Sequence, residues 1–221
     1  MISDLRRPPL VLLGGGRGFR LRRLPPATSD RAPIGWGTVV GDFNNDGHAD
    51  VLVAGGDLGL DGPTQRSLLY LGDGRGGFRE VGRSAGLGAR GRGRGVAVAD
   101  VNADGRLDVL ISRLGERAPL LLVNRGAPAP GKAHWLELRL RGAASPRDPC
   151  GAVVVVRHGA SERATSTVSC GSDGLASGDH LIHVGLGASS RADLEVTWPS
   201  GRRQRLRGIR ADRVLEVTEP R

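Results

Sequence analysis

A nine-residue acidic pattern occurs twice in this chain, at residues 42–50 and, 58 residues later, at 100–108; both copies read Asp-x-Asn-x-Asp-Gly-x-x-Asp. Oxygen-bearing side chains at positions 1, 3 and 5 let one curled loop aim three donors at a common centre, and the glycine at position 6 permits the bend. With the aspartate at position 9, each loop holds three carboxylates, a donor set of hard oxygens that suits calcium. The pattern therefore predicts two calcium sites.

The candidate ligands follow from the loop positions. They are Asp42, Asn44, Asp46, Asp50 and the backbone carbonyl of His48 in the first loop, and Asp100, Asn102, Asp104, Asp108 and the backbone carbonyl of Arg106 in the second. Three like charges held close together are destabilising unless a cation neutralises them. The alternative is an Asx-rich turn that binds no metal, because aspartate, asparagine and glycine are also common turn residues.

The flanks of each loop distinguish it from an EF-hand. An EF-hand loop ends in glutamate at position 12 and lies between two helices, whereas position 12 is Val53 in one copy and Ile111 in the other. The residues on both sides of each loop are apolar and rich in β-branched side chains, a composition that predicts strands. Each loop is therefore predicted to join two strands.

The acidic loop belongs to a longer repeat. The same shift of 58 residues aligns 10–14 with 68–72 and 35–52 with 93–110, and a third copy begins at 120–123. A complete unit has four short predicted strands, the size of a propeller blade. Because a propeller closes with about four to eight blades, we expect an all-β fold with a partial, incomplete β-propeller. Either the chain is a piece of a longer protein, or its blades stack against a partner or a second copy, since open strand edges favour association.

Composition narrows the classes of function. The 36 glycines and seven aromatic residues fit many short strands joined by tight turns. No apolar run reaches the roughly 18 residues of a membrane span, and the N-terminus does not match a signal peptide. The net charge of +9 comes from arginines that are scattered rather than interleaved with aromatic residues. This distribution favours a solvated basic surface over a nucleic-acid interface.

The C-terminal part is predicted to be a second β domain at 133–221, joined to the blades at 1–125 by a linker at 126–132 that contains proline and glycine. Its segments alternate apolar and polar residues, which predicts half-buried strands such as 136–140. The tryptophans at 135 and 198 are expected to anchor the core.

The two cysteines lie at the ends of a predicted hairpin. A register that pairs Val155 with Thr165 places Cys150 opposite Cys170, within the distance that a disulfide requires. A disulfide and two buried free thiols both fit this register.

Several segments resemble a known family. The acidic loops and Leu-Tyr-Leu-Gly-Asp-Gly-x-Gly-Gly-Phe at 69–78 are similar to FG-GAP/VCBS blades, which integrin-type propellers share. Four further segments resemble the ASPIC/UnbV domain: His-Trp-Leu at 134–136, Gly-Ala-Val at 151–153, Gly-Leu-Gly at 185–187 and Trp-Pro-Ser-Gly at 198–201. This order resembles the cartilage acidic protein 1-like family. The resemblance implies a small β-sandwich-like domain after the blades, and an extracellular or cell-envelope location.

Two patterns typical of enzymes lack their structural context. Residues 72–77 match G-x-G-x-x-G and residues 82–86 match G-x-S-x-G, but no helix is predicted after either segment. The five histidines form no metal-binding or catalytic pattern. We therefore predict that the chain is not an enzyme.

The predicted function is a calcium-binding recognition or adhesion module of extracellular type, in which calcium makes the blade loops rigid and exposed loops bind a protein or glycan. Two alternatives stay open. The arginine-rich surface could bind a polyanion, either nucleic acid or a sulfated glycan. The family resemblance also allows an accessory component of a biosynthetic enzyme system.

Overall fold

The computed structural model describes residues 9–15, 18–26, 34–59, 64–126, 133–159, 162–168 and 181–221. These residues contain eighteen β-strands and no helix, so the all-β prediction is confirmed. Among them there is accordingly no helix long and apolar enough to cross a membrane.

The strands divide into a blade region and a C-terminal region. The blade strands are β1 (Leu10–Gly15), β2 (Gly18–Arg23), β3 (Gly35–Gly41), β4 (Asp50–Gly55), β5 (Gln65–Arg66), β6 (Leu68–Gly72), β7 (Phe78–Glu80), β8 (Arg90–Gly91), β9 (Gly93–Ala99), β10 (Asp108–Arg113) and β11 (Leu120–Leu122). The C-terminal strands are β12 (His134–Arg141), β13 (Val153–His158), β14 (Glu162–Thr167), β15 (Ile182–Gly187), β16 (Arg191–Thr197), β17 (Arg203–Arg210) and β18 (Arg213–Thr218).

Three antiparallel sheets form the blades, and the short strands β5 and β8 pair in a fourth, two-stranded sheet. Sheet I is β1–β2, sheet II is β3–β4–β6–β7 and sheet III is β9–β10–β11, each in that spatial order. Sheet II is the complete four-stranded unit that the repeat predicts, whereas sheets I and III have two and three strands. No barrel closes among the described strands, so the expected partial propeller is confirmed.

Apolar side chains fill the space between neighbouring sheets. Because side chains alternate along a strand, sheet II uses opposite faces for its two neighbours. Towards sheet I, the buried cluster contains Leu24, Val51, Val53, Leu68 and Tyr70, with Val11 packed against it. Towards sheet III, it contains Leu52, Ala54, Leu69, Val96, Val109 and Ile111 among others. These two interfaces hold the blades together.

The first strands of sheets II and III, which lead into the acidic loops, lie very close to each other. A Cβ atom on Gly37 of β3 would lie 2.5 Å from the carbonyl oxygen of Arg94 in β9. The guanidinium of Arg94 lies 4.3 Å from the ring centre of Trp36, a cation–π contact. The starting points of both loops are therefore fixed relative to each other.

The C-terminal region is a two-sheet sandwich. One sheet has the order β15–β12–β18, with β12 and β18 parallel, and the other has the order β14–β13–β16–β17. Both sheets contribute to one core, in which Leu136, Val154 and Leu186 are fully buried. Trp198 is buried in this core, as expected, and its indole N–H donates to Gln204 Oε1 at 3.2 Å.

A buried carboxylate fixes the end of this sandwich. Glu219 accepts backbone N–H groups of Ala143, Ala144 and Ser145 and the hydroxyls of Ser145 and Ser200. Burial by itself raises the pKa of Glu219, but these hydrogen bonds outweigh it and lower the pKa to about 2. The bond from Ser200 gives a structural reason for the serine in the Trp-Pro-Ser-Gly turn.

The register of β13 and β14 pairs Val155 with Thr165, so the predicted hairpin is confirmed. Cys170 lies outside the described residues, and its bond to Cys150 stays a prediction. Apart from Gly126, the predicted linker at 126–132 also lies outside them. The proposed domain boundaries therefore stay predictions.

The two enzyme-like patterns are turns. β6 ends at Gly72 and β7 begins at Phe78, so the G-x-G-x-x-G segment joins two strands. Within the G-x-S-x-G segment, the hydroxyl of Ser84 donates to the carbonyl of Val81 at 2.9 Å. Neither segment leads into a helix, which the corresponding enzyme motifs require.

Candidate metal centre

The two acidic loops adopt the same backbone conformation. The first joins β3 to β4 and the second joins β9 to β10. Position 4 is left-handed in both, with φ of 58° at Asn45 and 57° at Ala103. Position 6 also has positive φ, 90° at Gly47 and 80° at Gly105. Since this region is unfavourable for most residues by roughly 1–2 kcal/mol, its repetition marks the loops as one structural unit.

In the first loop, the side chains at positions 1, 3 and 5 turn inward. The N–H of Asp46 donates to Asp42 Oδ1 at 3.1 Å and to Asn44 Oδ1 at 3.2 Å. The N–H of Gly47 donates to Asp42 Oδ2 at 2.8 Å. Asp46 in turn accepts the N–H of His48 at 2.9 Å and an amide N–H of Asn44 at 2.8 Å. The loop therefore closes around a group of oxygen atoms.

The second loop repeats each of these bonds. Asp104 N–H donates to Asp100 Oδ1 at 3.1 Å and to Asn102 Oδ1 at 3.2 Å, and Gly105 N–H donates to Asp100 Oδ2 at 2.6 Å. Asp104 accepts the N–H of Arg106 at 3.0 Å and an amide N–H of Asn102 at 3.1 Å. Neither loop is splayed open, and in both the oxygens of positions 1, 3 and 5 lie together.

At position 7, both side chains turn back to the carboxylate of position 5. His48 Nδ1 lies 3.3 Å from Asp46 Oδ1, and a guanidinium nitrogen of Arg106 lies 3.3 Å from Asp104 Oδ2. The side chains of His48 and Arg106 therefore fold back onto their own loops, while only the backbone carbonyl of each residue is a candidate ligand.

The aspartates at position 9 have a different environment. Asp50 and Asp108 are 0% and 1% exposed, and each is the first residue of the strand that follows its loop. Both oxygens of each carboxylate accept a backbone N–H: Phe43 (2.8 Å) and Gly72 (2.9 Å) donate to Asp50, and Val101 (3.0 Å) and Asn124 (2.7 Å) donate to Asp108. Each position-9 aspartate therefore ties its loop to the third strand of the sheet or to the residues directly after it.

The donor set determines which cation the loops fit. The described residues contain no group of three or more His, Cys, Asp or Glu side chains that could hold a metal. A metal in either loop would therefore need the asparagine at position 3 and a backbone carbonyl in addition to carboxylates. Such a set of hard oxygens fits calcium, and an ionised carboxylate has about four lone-pair sites, so its hydrogen bonds leave capacity for a cation.

Burial raises the pKa of two carboxyl groups in the first loop. Desolvation, with a smaller contribution from the charge of Asp46, raises the pKa of Asp42 to about 6, although the hydrogen bond from Gly47 opposes it. Desolvation also raises the pKa of Asp50 to about 7, despite the two backbone N–H groups that it accepts. A cation nearby would favour the ionised form of both groups.

The C-terminal domain covers the first loop through Asn45. The N–H of Gly187 donates to the backbone carbonyl of Asn45 at 3.0 Å, and Nε2 of His183 lies 2.8 Å from Asn45 Oδ1. The other ring nitrogen of His183 lies 3.3 Å from the carboxylate of Glu137. Asn45 also donates its amide to the carbonyl of Gly105 at 2.7 Å, which links the first loop to the second.

Glycines permit close contact with both loops. A Cβ atom on Gly185 would lie 2.0 Å from Asp42 Oδ2, and one on Gly105 would lie 1.9 Å from the ring of Trp135. Trp135 stacks on His183, with ring centres 6.4 Å apart. The His-Trp-Leu and Gly-Leu-Gly segments therefore form the surface that faces the acidic loops.

This joint between the loops and the C-terminal domain was not among the features that the sequence predicted. A half-buried strand was predicted at 136–140, but Glu137 is only 4% exposed, so the alternation fails at this residue. Trp135, expected in the core, packs on the second loop instead. In the sequence, the joint could have been indicated by Glu137, an acidic residue between two leucines that follows His134 and Trp135.

Comparison with known proteins agrees with this organisation. Residues 42–111 match the model of an FG-GAP-like repeat, and residues 142–221 match the model of the family described as ASPIC and UnbV.

Cartilage acidic protein 1 of Xenopus tropicalis is 30% identical over 169 residues, which is 74% of this chain and 25% of the relative. The Homo sapiens protein is 33% identical over 135 residues, 59% of this chain and 20% of the relative. The Mus musculus protein is 35% identical over 114 residues, 51% of this chain and 17% of the relative. The matched part thus spans a quarter or less of these curated relatives. The chain therefore combines a segment similar to an FG-GAP-like repeat with a C-terminal segment similar to the ASPIC and UnbV family, and much of it is similar to part of cartilage acidic protein 1.

Proposed function

We propose that this chain is a non-catalytic recognition module whose two acidic loops bind calcium. The observation that carries the proposal is that the loops share backbone and hydrogen bonds in different surroundings. The first loop lies under the C-terminal domain, whereas Asn102 and Asp104 of the second are exposed. An Asx-rich turn makes hydrogen bonds of the same kind. What favours calcium is that both loops carry carboxylates at positions 1, 5 and 9 in these different settings, although like charges repel unless a cation neutralises them.

The residues that would hold each ion are those whose oxygens turn inward. They are Asp42, Asn44, Asp46 and the carbonyl of His48 in the first loop, and Asp100, Asn102, Asp104 and the carbonyl of Arg106 in the second. Bound calcium would supply positive charge that neutralises the carboxylates. Asp50 and Asp108 would support the loops from the strand side and complete the negative charge around each ion.

In this proposal, calcium stabilises the joint between the blades and the C-terminal domain. Asn45 has a fixed position only if the first loop is ordered, and both His183 and Gly187 bond to it. Binding to the folded state alone increases stability by mass action. Extracellular calcium modules bind with dissociation constants of roughly 10⁻⁴ to 10⁻³ M, which suits a structural ion.

FG-GAP repeats and similarity to cartilage acidic protein 1 favour a recognition or adhesion role in an extracellular setting over catalysis. The partner in this proposal is a protein or a glycan. It would bind the blade surface that the C-terminal domain leaves open, where the second loop is exposed.

Thermal unfolding with calcium and with chelator tests the proposal. We expect calcium to raise the midpoint for the unaltered chain. Asp46→Asn and Asp104→Asn should each reduce this rise, because each removes one carboxylate that would contact an ion.

Asp73→Asn provides a matched control. Asp73 also accepts two N–H groups of its own turn, from Arg75 and Gly77, but it lies outside the acidic loops. Its substitution should leave the calcium-dependent rise unchanged. A midpoint that does not respond to calcium in the unaltered chain would rule out the ion.

One observation favours polyanion binding as a second candidate function. The edge strand β17 places Arg203, Arg205 and Arg207 at alternate, exposed positions, so their side chains share one face. Glu195, 3.6 Å from Arg205, neutralises only part of this charge. Binding of heparin that falls steeply with added salt, and is lost in a triple Arg→Gln variant of these positions, would support this function. Salt-independent or absent binding would exclude it.

A further inference from the structure

Each end of the stack of three sheets exposes a pair of leucines that face each other across two strands. Leu12 pairs with Leu21 on sheet I, and the two are 45% and 60% exposed. Leu110 pairs with Leu121 on sheet III, and they are 42% and 50% exposed. Single exposed leucines are ordinary. Two cross-strand pairs on the outer faces of the terminal sheets form ordered apolar surfaces instead.

Sheet II indicates what such a pair contacts when it is covered. Leu52 and Leu69 pair in the same way between the second and third strands of that sheet. They are 0% and 7% exposed, because sheet III packs on them. Leu110 follows Leu52 by the 58-residue repeat, and Leu121, its partner on β11, takes the place of Leu69 on β6. The outer face of sheet III is therefore the same kind of surface as the face of sheet II that packs on sheet III.

The outer face of sheet I corresponds to the other partner in such an interface, namely the face of a sheet that packs on the preceding sheet. Val11 of sheet I packs towards sheet II, and Leu12, the next residue, points to the other face. Leu21 and Phe19, which is 76% exposed, share the face of Leu12. In sheets II and III, the corresponding faces pack against the preceding sheet. The two ends of the stack thus present the two complementary sides of an interface that already occurs twice within the molecule.

We propose that a second copy of this chain docks head to tail. The outer face of its sheet I, formed by Leu12, Phe19 and Leu21, packs on the outer face of sheet III, formed by Leu110, Leu121 and Val123. The occupant is a second copy because the contact continues the packing between sheets I and II and between sheets II and III. The described residues of the C-terminal domain contact the loop ends of the sheets and leave both faces exposed.

A head-to-tail contact uses two different surfaces and either closes into a ring or continues as a filament. Two copies of the stack bring together six sheets, of which the two copies of sheet II are complete four-stranded units and the others have two or three strands. Closed propellers have about four to eight four-stranded blades, so a ring of this number of sheets is close to their size. Two copies joined at both pairs of faces therefore form a closed dimer. This association concerns surfaces remote from the acidic loops, so it does not depend on the calcium proposal.

Sedimentation velocity of the purified chain with two charge variants tests the proposal. The unaltered chain is expected to form dimers, and Leu21→Glu or Leu121→Glu should each give monomers, because each variant spoils one side of every contact. Mixing the two variants should restore a heterodimer, since the intact sheet I of one variant meets the intact sheet III of the other. Its affinity should be lower than that of the unaltered dimer because only one contact is intact.

Val214→Glu serves as the control, since Val214 is 48% exposed on β18 of the C-terminal domain. This variant should dimerise like the unaltered chain, and circular dichroism should give a folded spectrum for all three variants. A monomeric unaltered chain overturns the proposal. So does either variant that associates alone, which would mean that a face pairs with itself, and so does a mixture that stays monomeric.

Discussion

The two acidic loops have the same internal bonds, but they contact the rest of the molecule through different positions. In the first loop, position 4 makes the hydrogen bonds to the C-terminal domain, because the buried Asn45 bonds to His183 and Gly187, and it also bonds to Gly105 of the second loop. In the second loop, position 4 is the exposed Ala103, and position 6 makes the contact through Gly105 against Trp135. The geometry of each loop is set within its nine residues, whereas its contacts differ between the copies: the first loop uses position 4, which the acidic pattern leaves free, and the second uses the glycine that the pattern requires.

Of these substitutions, Gly105→Ala is expected to lower the stability of the chain most. A Cβ atom there would overlap the ring of Trp135, and positive φ adds strain, so we expect destabilisation of about 3 kcal/mol or more. Gly47→Ala has similar φ, but its nearest atom, on His158, is 3.1 Å away, so we expect about 1–2 kcal/mol. Urea unfolding measures both values.

Gly86→Ala isolates the backbone strain. Gly86 has φ of 91°, and no neighbouring atom lies within 4 Å of the place where a Cβ atom would be, so this substitution adds no overlap. If Gly105→Ala destabilises the chain no more than Gly86→Ala does, Trp135 does not dock on the second loop as described.

Asn45→Gly should weaken the contact between the first loop and the C-terminal domain, while the backbone bond from Gly187 stays. Glycine keeps the left-handed backbone accessible but removes the bonds to Gly105 and His183. Because each net hydrogen bond contributes about 1 kcal/mol, we expect destabilisation of about 2 kcal/mol in urea unfolding.

A double-mutant cycle with His183→Ala tests whether this effect runs through the joint. Residues that share a hydrogen bond are expected to show a coupling of about 0.5–3 kcal/mol. Additive effects of the two substitutions would instead mean that Asn45 acts only within the loops.

The sequence alone predicted the features that depend on repetition and alternation. The strands on either side of each loop, the blade unit and the register of Val155 with Thr165 all follow from patterns within a short segment. Residue alternation along a strand is a local property, and so is the glycine requirement at loop position 6.

The joint between the domains could not be predicted in the same way. Asn45 and His183 are 138 residues apart, and nothing near either one specifies the other. Glu137 resembles a solvent-facing residue of an alternating strand until its contact with His183, which in turn contacts Asn45, is known. Asp50 resembles a fourth ligand, although its two bonds to Phe43 and Gly72 make it a support for the sheet as well.

The raised pKa values in the first loop should make both the stability of the metal-free chain and the calcium affinity of this loop depend on pH. The usual pKa of these carboxyls is 3.8, and burial raises the pKa of Asp42 to about 6 and that of Asp50 to about 7. Because the folded pKa lies above the unfolded value, the metal-free chain should lose stability as pH rises from about 4 to about 7. Calcium requires ionised carboxylates, so affinity of the first loop should rise over the upper part of this range, by about tenfold per proton displaced and pH unit.

Calorimetric calcium titration of two variants checks this expectation. Asp104→Asn retains an unaltered first loop, and Asp46→Asn retains an unaltered second loop as reference. In Asp104→Asn, the calcium affinity of the first loop should therefore rise between pH 5 and pH 7.5. If this affinity does not change, the buried carboxyls of Asp42 and Asp50 do not lie close to the ion.

Ala103→Gly should give the smallest effect, and its sign differs from that of Asn45→Gly at the same loop position. Ala103 has φ of 57°, where alanine is strained by roughly 1–2 kcal/mol. Glycine relieves this strain but gains unfolded-state entropy of about 0.4–1 kcal/mol, so a net stabilisation of about 0.5 to 1 kcal/mol in urea unfolding is expected. Opposite signs at one position mean that the left-handed backbone is common to both loops and that Asn45 is retained for its contacts. If Ala103→Gly destabilises the chain instead, the methyl group of Ala103 makes a stabilising contact. The two loops would then not differ at position 4 in the way described, with side-chain contacts in the first loop alone.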